Sequence, residues 1–240
     1  MKKFKSGYIH SIETMGLVDG PNIRIVIFMQ GCPLRCKFCH NPDTWNLKSN
    51  LKLDSNEVVN EIRKYRPYIE MGGGVTFSGG EPLLQSEFLL EMLKLCKKAG
   101  IHTCIDTSGT GYNKEYLDEI LKYTDLVILD IKAIEEESYK NITGISMDMF
   151  NYFIERLKIN NNKIWLRQVI VPTINDNEEY ILKLKEYIKQ FNNVDKIELL
   201  PYHTMGKEKY KKLNIEYKLE DIPDMNRDRC KELEQLLKNP

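Results

Sequence analysis

Residues 31–45 read GCPLRCKFCHNPDTW, with thiols at Cys32, Cys36 and Cys39 in the spacing CxxxCxxC, directly after an apolar run at 23–29. Three thiolates on so short a loop close around one face of a four-iron, four-sulfur cluster, each taking one iron and leaving the fourth iron open. A cluster used only for electron transfer would favour a fourth cysteine, and a structural zinc site would want four ligands, usually as two CxxC-type pairs. The other cysteines, Cys96, Cys104 and Cys230, form no second knuckle. An electron-transfer protein and a zinc-binding protein stay as rival readings. Loop cysteines flanked by Gly, Pro and charges are unlike core cysteines, which argues against three unrelated buried thiols.

Outward from this loop, six β-branched-rich runs read as strands, at 23–29, 75–77, 102–105, 126–131, 164–171 and 196–200. Helical patterns lie between them. Asp54 and Glu57 have capping-box spacing before a helix at 58–65, and a second helix at 88–98 ends at Gly100. Further helices are expected at 114–122, 147–157, 178–191 and 227–237. Strands alternating with helices imply parallel β/α units. Six units, fewer than the eight of a closed barrel, predict an α/β fold in the form of a partial, open parallel (β/α)6 barrel. A chain of 240 residues suits a single domain over 1–240, with its core at about 20–205 and a C-terminal helical closure at about 206–240. Cys96 then falls on a helix and Cys104 within a strand, where a small buried thiol suffices.

Lys plus Arg equals Asp plus Glu, at 35 each, so nothing in the overall balance attracts nucleic acid or an anionic membrane. The basic start, MKKFKSGYIHSIE, lacks the apolar stretch of a signal peptide, and no run is long enough to span a bilayer. A cytoplasmic protein with reduced or metal-bound cysteines is expected, and one sensitive to oxygen.

In a parallel β/α barrel, residues at the C-terminal ends of strands converge on one mouth. After the first of the six runs come the three cysteines and His40; after the second comes Ser78-Gly79-Gly80-Glu81-Pro82. Asp106 and Thr107 follow the third, Asp130, Ile131 and Lys132 the fourth; Arg167 lies in the fifth and His203 follows the sixth. The two glycines let backbone approach a ligand, while Glu81 either orients a cationic group or braces the turn. Asp106, Thr107 and Asp130 are hard oxygen donors suited to a cation or a polar ligand, and equally to helix capping. Lys132, Arg167 and His203 suit a carboxylate, a purine or a ribose.

CxxxCxxC followed by a GGE turn resembles the radical S-adenosylmethionine superfamily. Five longer words narrow the resemblance to the pyruvate formate-lyase activating enzymes: TMGLVDGPNIR at 14–24, the thiol loop at 31–45, GGGVTFSGGEPLLQ at 72–85, residues 100–109, and KIELLPYH at 196–203. The cysteine-rich insert that larger members of the family carry after the position of Trp45 is absent. The resemblance implies an oxidoreductase with a partial barrel of the radical SAM type, in which Cys32, Cys36 and Cys39 hold a [4Fe-4S] cluster. The amino and carboxylate groups of S-adenosyl-L-methionine would then chelate the open iron. Phe38, Cys39 and His40 would line that cofactor, Gly79, Gly80 and Glu81 would meet its methionine end, and Asp130, Ile131, Lys132, Arg167 and His203 would complete its pocket. It also implies a monovalent cation, Na+ or K+, held by Asp106, Thr107, Asp130 and the Ile128 carbonyl, and a substrate contact at Asp19. Lys132 and Arg167 would serve the reaction itself. The implied activity is reductive cleavage of S-adenosylmethionine, giving a 5′-deoxyadenosyl radical that takes a hydrogen atom from one glycine of a glycyl-radical enzyme. Pyruvate formate-lyase is the leading partner, flavodoxin or ferredoxin the electron donor, and the free enzyme a monomer in anaerobic metabolism. Another glycyl-radical enzyme as partner, or a small-molecule substrate, stays open as an alternative. Departures from the family pattern are Asn22 after VDGP where glycine is usual, Ser108 where asparagine is common, and Thr173-Ile174 in place of a glycine-rich turn.

Overall fold

The computed structural model describes residues 4–49 and 51–238. Both ends of the expected 1–240 domain, and the basic Lys2 and Lys3, lie outside the described residues. Strand β1 (Ser6–Gly16) pairs antiparallel with β2 (Arg24–Met29), and β3 (Leu51–Asp54) pairs antiparallel with the other side of β1. Then β4 (Gly74–Gly79), β5 (His102–Thr107), β6 (Leu126–Asp130), β7 (Lys163–Ile170) and β8 (Val194–Pro201) follow β2, each parallel to its neighbour. The spatial order is β3-β1-β2-β4-β5-β6-β7-β8, so the six expected parallel strands stand side by side in one open sheet. β1 and β3 were not expected. They extend the sheet from eleven and four residues of mixed polarity, few of them buried.

The helices in chain order are α1 (Ser55–Arg63), α2 (Arg66–Glu70), α3 (Ser86–Lys98), α4 (Lys114–Lys122), α5 (Glu136–Thr143), α6 (Asp148–Asn160), α7 (Glu178–Ile188), α8 (Lys207–Leu213) and α9 (Arg227–Lys238). The capping box is present: the Asp54 carboxylate accepts from the amides of Asn56 and Glu57, and Glu57 accepts from the Asp54 amide. That pairing satisfies orphan donors and starts α1 three residues earlier than its apolar periodicity suggests. Helix α3 buries Phe88, Leu89, Met92, Leu93 and Cys96 against the sheet, and the chain turns back through Gly100 at a φ of 71°. Helices α2, α5 and α8 are additions to the expected set. Two of them are short and α2 buries none of its residues, so none has an apolar stripe long enough to announce itself.

Alternation along the strands divides the sheet into two faces. Ile25, Ile27 and Met29 join the core beneath the helices. Cys104, Leu126 and Ile128 form a smaller apolar cluster with Trp165. Asp106, Asp130 and Arg167 come two residues after Cys104, Ile128 and Trp165, on that same face. A polar chamber therefore sits above an apolar plug, at the ends of the strands. No helix among the described residues is long and apolar enough to cross a membrane.

Candidate active site

The thiol loop leaves β2 and is held on three sides by backbone. Gly31 N donates to Thr44 O at 2.8 Å and Cys32 N to Trp45 O at 3.3 Å, closing the loop on itself. Arg35 N and Lys37 N, on either side of Cys36, donate to Thr143 O and Ile142 O at 2.8 and 3.0 Å, which fixes the loop to the end of α5. From the C-terminal side, the Tyr210 hydroxyl of α8 donates to Cys39 O at 3.0 Å, and Lys209 reaches Asn41 and Asp43.

The glycine turn after β4 continues this lattice. Gly80 N donates to Met29 O at 2.9 Å and Glu81 N to Gly31 O at 2.8 Å. A Cβ on Gly79 would lie 2.3 Å from Met29 N, and one on Gly80 would lie 2.3 Å from Gly31 O. Neither neighbour is a flexible side chain, so only glycine lets the turn lie against the thiol loop. Of the two roles open to Glu81, its contacts match the brace. Its carboxylate is fully buried, outside the cavity, and accepts from Leu83 N, Thr107 Oγ1, Ser108 N and Ser108 Oγ at 2.5 to 3.0 Å. Burial raises its pKa, and these four donors pull it back toward the charged form.

Between loop and turn lies a cavity of about 280 Å³. Cys32, Cys36, Cys39, Phe38 and His40 line one side; Gly79, Gly80, Asp106, Thr107, Asp130 and Lys132 line the other, and Asp19 reaches it from the 17–22 loop. Several expected residues stand behind this lining. Arg167 is nearly buried, with Nη1 3.6 Å from Asp106 Oδ2 and Nε donating to Glu198 at 3.1 Å, and it also donates to Val18 O. His203 stacks on His40 with ring centroids 3.9 Å apart, and His40 Nε2 donates to His203 O at 2.9 Å. Ile131 gives its amide to Arg167 O, while the Ile128 side chain is buried in the plug. The Thr107 hydroxyl is occupied by Glu81 and by the Gly109 amide.

Phe28, Leu34, Asn41, Thr44, Ser78, Ser108 and Val169 also line the cavity and were not among the expected site residues. Phe28 and Val169 were findable from strand alternation, since each shares a face with a strand-end site. Ser78 donates to Asp106 Oδ2 at 3.0 Å, a contact that only the parallel register of β4 and β5 reveals.

Electrostatics set the character of the chamber. Burial first, and the neighbouring Asp130 second, push the Asp106 carboxyl up to about 7. Burial opposes the charge on Lys132, but Asp130, 2.8 Å away, and then Cys36 outweigh it and keep its pKa above the ordinary value. Burial pushes the Cys36 thiol up to about 12 and raises Cys32 and Cys39 as well. All three thiols are free of disulfides. Among the described residues no three His, Cys, Asp or Glu side chains converge as ligands of one ion must. Cys36 is buried and Cys32 and Cys39 are partly exposed, all three on one side of the cavity, a donor set that would give one thiolate to each of three irons of a four-iron cluster. The metal would also reverse the cost of ionising them.

The chain matches the family model described as Radical SAM superfamily over residues 26–185. It is 54% identical over 233 residues to a pyruvate formate-lyase-activating enzyme of Clostridium pasteurianum, covering 97% of each chain. It is 45% identical to the enzyme of the same name from Staphylococcus epidermidis, covering 94% of this chain and 93% of that one. A crystal structure of a domain of pyruvate-formate lyase-activating enzyme from Bacteroides vulgatus superimposes with a TM-score of 0.56 at 26% identity, covering 69% of this chain and 93% of that chain.

Proposed function

This chain belongs to the radical S-adenosylmethionine superfamily and, within it, to the pyruvate formate-lyase-activating enzymes; from that premise we propose that it activates a glycyl-radical enzyme, pyruvate formate-lyase, by removing a hydrogen atom from one glycine of that partner. The observation that carries the reading is the shared cavity, which gathers three thiols, a glycine turn, two carboxylates and a lysine at the strand ends. Cys32, Cys36 and Cys39 would hold a [4Fe-4S] cluster. When bound, the cluster and S-adenosylmethionine supply the electron and the reductive sulfonium cleavage that give the site its power to abstract hydrogen.

The chain's own side chains bind, orient and exclude water. Gly79 and Gly80 expose backbone where a methionine moiety would lie. Lys132, kept charged by Asp130, faces Phe38 with its Nζ 5.7 Å from the ring centroid and presents a cation to a carboxylate. His40 lines the cavity and is backed by the stacked ring of His203, an aromatic surface that would suit a nucleobase. Phe28, Leu34 and Val169 make the apolar remainder, which keeps water from a reactive centre. Asp106 and Asp130 are the oxygen donors assigned to a monovalent cation, whose charge would relieve their mutual repulsion. Asp19, which lines the same cavity, would contact the peptide substrate. A reduced flavodoxin or ferredoxin is the donor that the assignment requires, in the cytoplasm of an anaerobically growing cell.

The test is anaerobic incubation of iron- and sulfide-reconstituted protein with reductant, S-adenosylmethionine and pyruvate formate-lyase. The expected result is 5′-deoxyadenosine together with a glycyl-radical signal in electron paramagnetic resonance, both lost in Cys36→Ala. Cofactor cleavage without any radical on that partner would move the activity to another substrate.

A further inference from the structure

Tyr139 is fully buried on α5, and its hydroxyl has no hydrogen-bond partner. Buried phenols almost always find one, so a hydroxyl here is suited to an acceptor that the chain does not itself supply. Its placement says which. Tyr139 lies three and four residues before Ile142 and Thr143, the pair whose carbonyls hold Lys37 N and Arg35 N around Cys36, and so shares their face of the helix. The ring is fixed from behind by Phe150, with centroids 5.6 Å apart, and the helix turn is locked by Thr143 Oγ1 donating to Tyr139 O at 2.7 Å. After burial itself, the strongest electrostatic influences on the phenol are Cys36, then Lys132, then Glu81, and burial keeps it protonated and able to donate.

We propose that the Tyr139 hydroxyl donates a hydrogen bond to an inorganic sulfide of the iron–sulfur cluster on its Cys36 side and thereby raises the cluster's reduction potential. The inference rests on the cluster assignment made under the proposed function. A donor at cluster sulfur stabilises the extra negative charge of the reduced form, so losing it favours the oxidised form. Phenylalanine keeps the ring and its packing while deleting only the donor.

The experiment compares cluster-reconstituted parent and Tyr139→Phe protein, matched for iron and sulfide content, in redox titrations followed by electron paramagnetic resonance. The variant's ratio of reduced to oxidised cluster at fixed poise is expected to fall by about three- to tenfold, tenfold being about 59 mV for one electron. The cluster-free variant is expected to melt at or above the parent's temperature, because the deleted hydroxyl has no partner in the chain. An unchanged midpoint potential in loaded variant overturns the proposal, as does a cluster-free variant clearly less stable than its parent. Failure of the parent to take up iron and sulfide would instead overturn the cluster assignment and this inference with it.

Discussion

Thr173 adopts a φ of 66°, and the other non-glycine residues found in the left-handed region are all asparagines. A β-branched side chain is strained there, and Thr173 is held by its amide donating to Asp176 at 2.8 Å. Thr173→Gly is therefore expected to raise stability by about 1 kcal/mol in urea unfolding, the relief of strain exceeding the added chain entropy. Asn22, at a φ of 58°, needs no such relief, because asparagine tolerates this conformation and its side chain donates to Gly72 O at 2.9 Å. Both positions depart from a glycine pattern in the family, and the positive backbone angle explains why glycine is usual there. At the N-terminal end of the strands, Arg24 is fully buried and donates to Thr76 Oγ1, Val75 O and His102 Nδ1. Burial, and then the Arg24 charge, lower the pKa of His102. Below its ordinary value of about 6.5 the unfolded chain binds a proton that the fold refuses, so His102 contributes stability at neutral pH that is lost as pH falls. His102→Gln should flatten the loss of stability between pH 7 and pH 5, read from urea midpoints.

At the level of elements, Glu81 ties the turn after β4 to the end of β5. Replacing it with glutamine turns one of its two oxygens into an amide donor set against two of the four donors already present, and is expected to cost about 3 kcal/mol and to loosen the cavity wall. Guanidinium unfolding with amide exchange at Ser108 would show both effects; unaltered exchange there would contradict the bracing role. Local patterning made the six parallel strands readable, since each carries a short run of apolar or β-branched residues. It could not reveal β1, where Ile9 and Ile12 stand three apart across a register irregularity, out of the two-residue period, and whose tip exposes Met15. That strand exists because β2 and β3 offer it ladders, a tertiary cause. The thiol loop was legible because its three cysteines are sequence neighbours. Leu34 and Asn41 reach the same cavity only through the closure of that loop, which no spacing encodes.

At the level of the whole molecule, the C-terminal segment is packed as part of the core. Leu233 is fully exposed nowhere along its side chain: it is buried on α9, whose Glu234 accepts the Leu199 amide of β8 at 3.0 Å. Leu233→Ala is expected to lower stability by about 3 kcal/mol in one cooperative transition. Two separate transitions would instead divide the closure from the barrel. An unclosed sheet also carries a hazard that a closed barrel escapes, because each outermost strand can recruit a strand from another molecule. Here both margins are blunted: β3 is four residues long and begins with Leu51 beside Lys52, while α9 lies over β8 and occupies one of its amides. The sheet can thus stay open beside the cavity without inviting fibrillar self-association.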